Sequence, residues 1–207
     1  MPGVSVSTLI GLSGVSLSVL ATWFQFRRSR RISVDGISLV TWYQFVLMGL
    51  FWIAYGTAQH STIVVAGSVL CAPLQIAIVA RLEPWRHLGT IARASAFIFC
   101  CCGLSTLLFG WAGGALGTGV AMAANRLPQI IELVRHPGDL GVSVSSWAVG
   151  AACSVVWIGY YATEHLTAAL VATLAGMMGN VTIAALAQWR HTQRVARVGE
   201  LVGPLAR

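Results

Sequence analysis

The sequence predicts an all-α integral membrane protein of seven transmembrane helices in a 3+1+3 arrangement, two parallel triple-helix-bundle repeats joined by a single helix. Three observations carry that expectation. Of 207 residues, 57% are hydrophobic and only 9% charged, whereas about 25% of a soluble domain is charged. The apolar residues fall into separate stretches near the roughly 20-residue length that crosses a bilayer. The chain also matches itself at a fixed spacing of 105 residues.

Apolar runs bounded by charge, Gly or Pro place the helices at about 6–26, 37–58, 62–80, 94–111, 115–134, 142–163 and 167–189. The first run lacks the basic segment that opens a signal peptide, and its arginines follow it, so it reads as a span. All thirteen basic residues are Arg. Arg27, Arg28, Arg30 and Arg31 lie in the first connection, Arg81, Arg86 and Arg93 in the third, Arg135 in the fifth, and Arg190, Arg194, Arg197 and Arg207 in the tail. With seven spans these all fall on one side. The positive-inside rule makes that side cytoplasmic, with the N-terminus outside and the C-terminus inside. The Arg-only, Ala-rich composition suggests a bacterial plasma-membrane protein.

The isoelectric point near 9.8 does not point to nucleic acid, because the arginines flank apolar spans and no soluble domain presents them. Cys71, Cys100, Cys101, Cys102 and Cys153 all lie in apolar spans, without CxxC spacing or a neighbouring His or Asp. They read as small buried hydrophobes, and no metal or cofactor is expected. No Gly-rich phosphate loop or nucleophile–base spacing points to an enzyme.

The repeat pairs Gly36 with Gly141, Ser38 with Ser143, Trp42 with Trp147, Trp52 with Trp157, Ile53 with Ile158, Tyr55 with Tyr160, His60 with His165 and Thr62 with Thr167. It maps helices one to three onto five to seven. Three-span units keep the same orientation only if an unpaired fourth helix separates them, which makes the repeat parallel. The predicted units are residues 1–83, a linker helix at 84–111, a second unit at 112–189 and a basic cytoplasmic tail at 190–207.

The second unit carries Arg126-Leu127-Pro128-Gln129-Ile130, then Gly141-Val142-Ser143, Trp147 and Trp157-Ile158-Gly159-Tyr160. This resembles the PQ-loop signature shared by the SWEET and SemiSWEET sugar carriers and the lysosomal-type PQ-loop amino-acid exporters. The first unit is a degenerate copy, with Phe24-Gln25, Gly36-Ile37-Ser38, Trp42 and Trp52-Ile53-Ala54-Tyr55-Gly56. The resemblance implies two triple-helix bundles around a central cavity, with the Pro-Gln turn as a hinge. On physical grounds Pro128 removes an N–H and crowds the carbonyl four residues back, so the fifth helix should kink there, with Gln129 bonding the freed backbone groups. The first unit has no matching Pro, which places most of the bending in the fifth helix.

A cavity for an uncharged polyol would combine aromatic faces with amides and hydroxyls. Trp52 and Trp157, with Tyr55 and Tyr160 one turn on, fit either that role or an interfacial aromatic belt. The resemblance implies a pocket Asn sixteen residues after each Trp, where this chain has Ser68 and Thr173. Seven residues further, Gln75 and Asn180 share nearly the same helix face. They fit either a cavity lining or helix–helix hydrogen bonds. Arg126 is the one charged residue well inside a span. Either it faces the cavity, which favours an anionic or carboxylate-bearing solute, or it snorkels to the cytoplasmic interface.

None of Asp35, Glu83, Glu132, Asp139, Glu164 and Glu200 falls mid-membrane, which favours passive exchange over proton coupling. The expected function is therefore a carrier moving a small polar solute, sugar or amino acid, by facilitated alternating access. The competing expectation is a non-transporting receptor or scaffold on the same fold. The expected partners are that small-molecule solute and the lipid bilayer, and a homo-oligomer is compatible with the sequence.

Overall fold

The computed structural model describes residues 5–135 and 141–202, with side chains through residue 193. Asp139, the Arg194 and Arg197 side chains, and Arg207 lie outside the described residues. The described chain is all helical. In order, the helices are α1 (Val6–Arg31), α2 (Leu39–Ala58), α3 (Thr62–Arg81), a 3-10 turn at Pro84–His87, α4 (Leu88–Ile98), a π-helical turn at Phe99–Leu104, α5 (Ser105–Ala124), α6 (Arg126–Arg135), α7 (Val144–Thr163) and α8 (Thr167–Val202).

The helix starts follow from local chemistry. Ser38 and Ser143, a repeat pair, cap α2 and α7 by accepting from Thr41 N and Ser146 N, and Ser5 and Ser61 do the same for α1 and α3. Each hydroxyl satisfies an amide that the helix itself leaves unpaired. The ends of α2 and α7 also match. His60 and His165 are left-handed (φ 53° and 55°), and the next amides, Ser61 N and Leu166 N, return to Gly56 O and Tyr161 O.

Six helical stretches are long and apolar enough to cross a membrane, not the seven expected. The difference lies in the middle of the chain. The expected fourth and fifth spans form one helical stretch, Pro84–Arg135, of 52 residues, because no polar segment divides them. That stretch is not straight. Gly110 has φ 70° and ψ −170°, a conformation essentially reserved for Gly. Beyond it the chain returns on itself, so that Cys102 Sγ lies 3.4 Å from Thr118 Oγ1. Sixteen residues of straight helix would hold them about 24 Å apart. Gly117, on the returning arm, lies against the Cys101 backbone.

A second break separates α5 from α6 at Asn125. It falls where Pro128 crowds the carbonyl of Ala124, the last residue of α5. In contrast, α1 runs unbroken for 26 residues through Gln25, where the first repeat lacks the Pro. The residues expected to form a separate tail instead extend α8 to Val202.

Packing follows the repeat. Within each unit the third helix packs along both others: α3 against α1 and α2, α8 against α5–α6 and α7. Between units, α1 lies along α7. The equivalent contact of α2 with α5–α6 is sparse, and α4 packs beside α2 there. Gly11 and Gly14 make the α1–α7 approach possible, since a Cβ on Gly14 would sit 3.1 Å from the Trp157 ring.

Candidate functional site: a central cavity between the repeats

A cavity of about 230 Å³ lies between the two units and is lined from both. Drug-sized pockets measure roughly 300–1,000 Å³, so this one suits a small solute. Trp52, Trp157, Ser68, Thr173, Gln75, Asn180 and Arg126 all line it. The Trp pair is thus inside, between the bundles, and not in a rim belt. Tyr55 and Tyr160 do not line it: both are buried behind the Trp rings, Tyr55 edge-on to Trp52, and Tyr160 edge-on to Trp157 with its hydroxyl 2.8 Å from Ser61 Oγ.

One end carries a layer of aromatic rings. Tyr161 stacks on Trp52 (6.1 Å, 17°) and on Trp157 (5.5 Å, 25°), joining the repeat-matched pair into one layer. Trp157 is fixed from behind by its Nε1–H donating to Ser18 Oγ at 3.0 Å and by Gly14 and Gly67 against its ring. Sequence reasoning missed Tyr161, although a signal existed: it stands where the first repeat has Gly56. It is also four residues after Trp157, nearer the same helix face than Tyr160 at three.

The other end carries a second layer, ten residues and therefore about 15 Å away along α2 and α7. Trp42 and Trp147 meet edge-on at 6.5 Å, with Phe45 against both.

Beyond that layer the repeats hold each other by matched hydrogen bonds. Gln129 Nε2 donates to Gly36 O (2.6 Å) and its Oε1 accepts from Ser38 N (3.0 Å). Gln25 does the same in reverse, donating to Gly141 O (2.8 Å) and accepting from Ser143 N (2.9 Å). Two hydroxyls repeat the pattern: Thr41 Oγ1 donates to Asn125 O (2.6 Å) and Ser146 Oγ to Ala21 O (2.7 Å). Each Gln therefore engages the other repeat's Gly-x-Ser turn and not its own. Gln129 does not bond the backbone freed by Pro128, as the sequence suggested. Gln25 and Gln129 are 104 residues apart, one fewer than the repeat spacing, so one residue less separates Gln25 from its Gly.

Arg126 lies deep in the cavity wall, only 3% exposed, and does not snorkel out. Its stem rests on Gly179 of α8, where a Cβ would crowd it, and a Cβ on Gly176 would lie 3.3 Å from its Nη2. Nη1 donates to Met122 O (2.8 Å) and Asn125 Oδ1 (2.6 Å), while Nε and Nη2 donate to Asn180 Oδ1 (3.3 and 3.2 Å). The guanidinium carbon stands 5.0 Å from the centre of the Phe45 ring. Asn180 passes the chain on, its Nδ2 donating to Ser154 Oγ at 3.3 Å. Ser154 is the repeat partner of Gly49, and Gly49 faces Gln75, so the two amides occupy corresponding places.

These observations define the class: an all-helical protein with six stretches able to cross a membrane, hence an integral membrane protein, with an internal cavity between two repeats. Comparison with family models, curated proteins and solved structures finds no match.

Proposed function

We propose that the protein is a carrier of the PQ-loop type that moves a small polar solute through the central cavity by facilitated alternating access. The single observation that carries this reading is the cavity itself. It is lined by both repeats and flanked by two aromatic layers, one around the repeat-matched Trp52 and Trp157 and one around the repeat-matched Trp42 and Trp147. Two layers able to close in turn about one site are what alternating access requires. In this reading Pro84–Arg135 crosses the membrane twice, reversing at Gly110. That gives seven crossings, an N-terminus outside and a C-terminus in the cytoplasm. The Trp52–Tyr161–Trp157 layer is then the outer gate, and the Gln25 and Gln129 bonds are the inner latch, with the break at Asn125–Pro128 as the hinge. No acidic residue lines the cavity among the described residues, which supports movement without proton coupling.

A receptor on the same fold is the second reading, favoured by the buried charge of Arg126. Flux separates the two. The test is uptake of radiolabelled sugars, amino acids and organic acids into liposomes holding the purified protein, with and without a pH gradient. Saturable uptake is expected. Gly49→Trp, which fills the cavity, should abolish it while the protein stays folded. No flux of any solute would overturn the carrier reading.

A further inference from the structure

The cavity's charge balance is one-sided. Arg126 is the only charged side chain lining it among the described residues, and an Arg is not deprotonated in a protein. Its partners are all neutral: two Asn side-chain oxygens, a backbone carbonyl and the Phe45 ring. The ion pair Arg86–Glu83 lies elsewhere at the surface. Burying a cation without a counter-charge is costly, and a fixed anion nearby would be the ordinary structural remedy. None is supplied.

The hydrogen bonds leave donors to spare. A guanidinium has five N–H groups and the four bonds above use four, which leaves one on Nη2. Asn125, held against Arg126, has a buried Nδ2 with no partner, and the cavity-lining Trp42 has a buried Nε1–H in the same state. An unsatisfied buried donor in the lining, at Trp42, and an uncompensated cation in the same cavity call for an acceptor that carries negative charge. The rest of the lining is neutral: aromatic and aliphatic groups, hydroxyls at Ser18, Thr22, Ser68, Ser146, Ser154 and Thr173, and the Gln75 and Asn180 amides.

We infer that the solute is a small monocarboxylate whose carboxylate pairs with Arg126 and whose body lies against the Trp layers. This rests on the carrier reading for its transport but not for its binding. A sugar would leave the charge unpaired. A zwitterionic amino acid would bring an ammonium into a cavity with no carboxylate to receive it.

Lactate, lactamide and alanine share one size and differ in charge, so they separate these cases. Saturable lactate uptake into proteoliposomes is expected to exceed that of the other two by about 10- to 100-fold, the range of one charge-assisted hydrogen-bonding contact. An inside-positive potential should accelerate it. Arg126→Gln should abolish it, and Arg126→Lys should retain part. Lactate and benzoate, but not lactamide or benzamide, should raise the melting temperature of the wild-type protein in detergent. That comparison needs no variant and stands even where Arg126→Gln fails to fold. Equal handling of lactate and lactamide, or full lactate uptake by Arg126→Gln, would overturn the inference while leaving a carrier. Carboxylate-specific stabilisation without flux of any solute would uphold the anion site and overturn the carrier. Neither stabilisation nor flux would overturn both.

Discussion

At the scale of single residues, two glutamines do the same work in two repeats of unequal preservation. Gln129 sits in an intact Pro-Gln pair and Gln25 in a degenerate one, yet each makes one donated and one accepted bond to the partner turn. Removing either side chain strands a buried carbonyl and a buried amide, at about 1–3 kcal/mol for each group. Gln129→Ala and Gln25→Ala should therefore lower stability to denaturant by similar amounts. A loss confined to Gln129→Ala would show that only the intact copy matters. Arg126 has a comparable dependence on its neighbours. Its stem fits because position 179 is Gly, and Gly179→Ala should displace it, since the added Cβ would lie 2.9 Å from the Arg126 Cβ. The expected outcome is a loss of carboxylate-specific stabilisation with little change in helix content, measured by thermal denaturation and circular dichroism. Arg126 itself was legible as the one charge within a span, but its direction was not. Whether a long side chain snorkels or turns inward depends on the small residues of another helix, and no local pattern around Arg126 records them.

At the scale of elements, breaks and starts follow the sequence unevenly. The Ser caps and the Pro128 break have local causes, and the Pro128 break was readable. The reversal at Gly110 was not. Apolar residues run through it on both sides, and a Gly with φ 70° looks in sequence like any other small residue in a membrane helix. Gly110→Ala should cost about 1–3 kcal/mol, because a Cβ is poorly tolerated in that region of backbone space. The reversal has a direct check. In a background lacking the other cysteines, Thr118→Cys should cross-link to Cys102 with a short bifunctional thiol reagent, which a straight helix would prevent. The aromatic layer of Trp52, Tyr161 and Trp157 shows a similar limit. The 105-residue repeat identified Trp52 and Trp157, but it also promoted Tyr55 and Tyr160, which are paired because they pack behind the Trp rings. Tyr161, which breaks the repeat, supplies the stack. Matching by repeat finds what the two copies share and is blind to what one copy adds.

At the scale of the whole molecule, duplication builds the cavity and the two seams between repeats differ. The seam of α1 with α7 is continuous, whereas α2 and α5–α6 meet sparsely beside α4. If the bundles rock, the close seam must slide. Ser18 Oγ and Cys153 Sγ stand 3.2 Å apart across it. A disulfide between Ser18→Cys and Cys153 should stop uptake, and reduction should restore it. The two-unit plan was legible because spans and repeats leave periodic marks along the chain. The aromatic layers that flank the cavity were not, because they arise from contacts more than a hundred residues apart, such as Trp42 with Trp147.

The most direct measurement is the sidedness of that cavity. Ser68→Cys, in a background with the five native cysteines replaced by Ser, puts one thiol on its wall. A membrane-impermeant anionic methanethiosulfonate can then be applied to either face of sealed vesicles. Alternating access predicts labelling from both faces, slowed from each by a bound solute; labelling from one face only, or from neither, would contradict it.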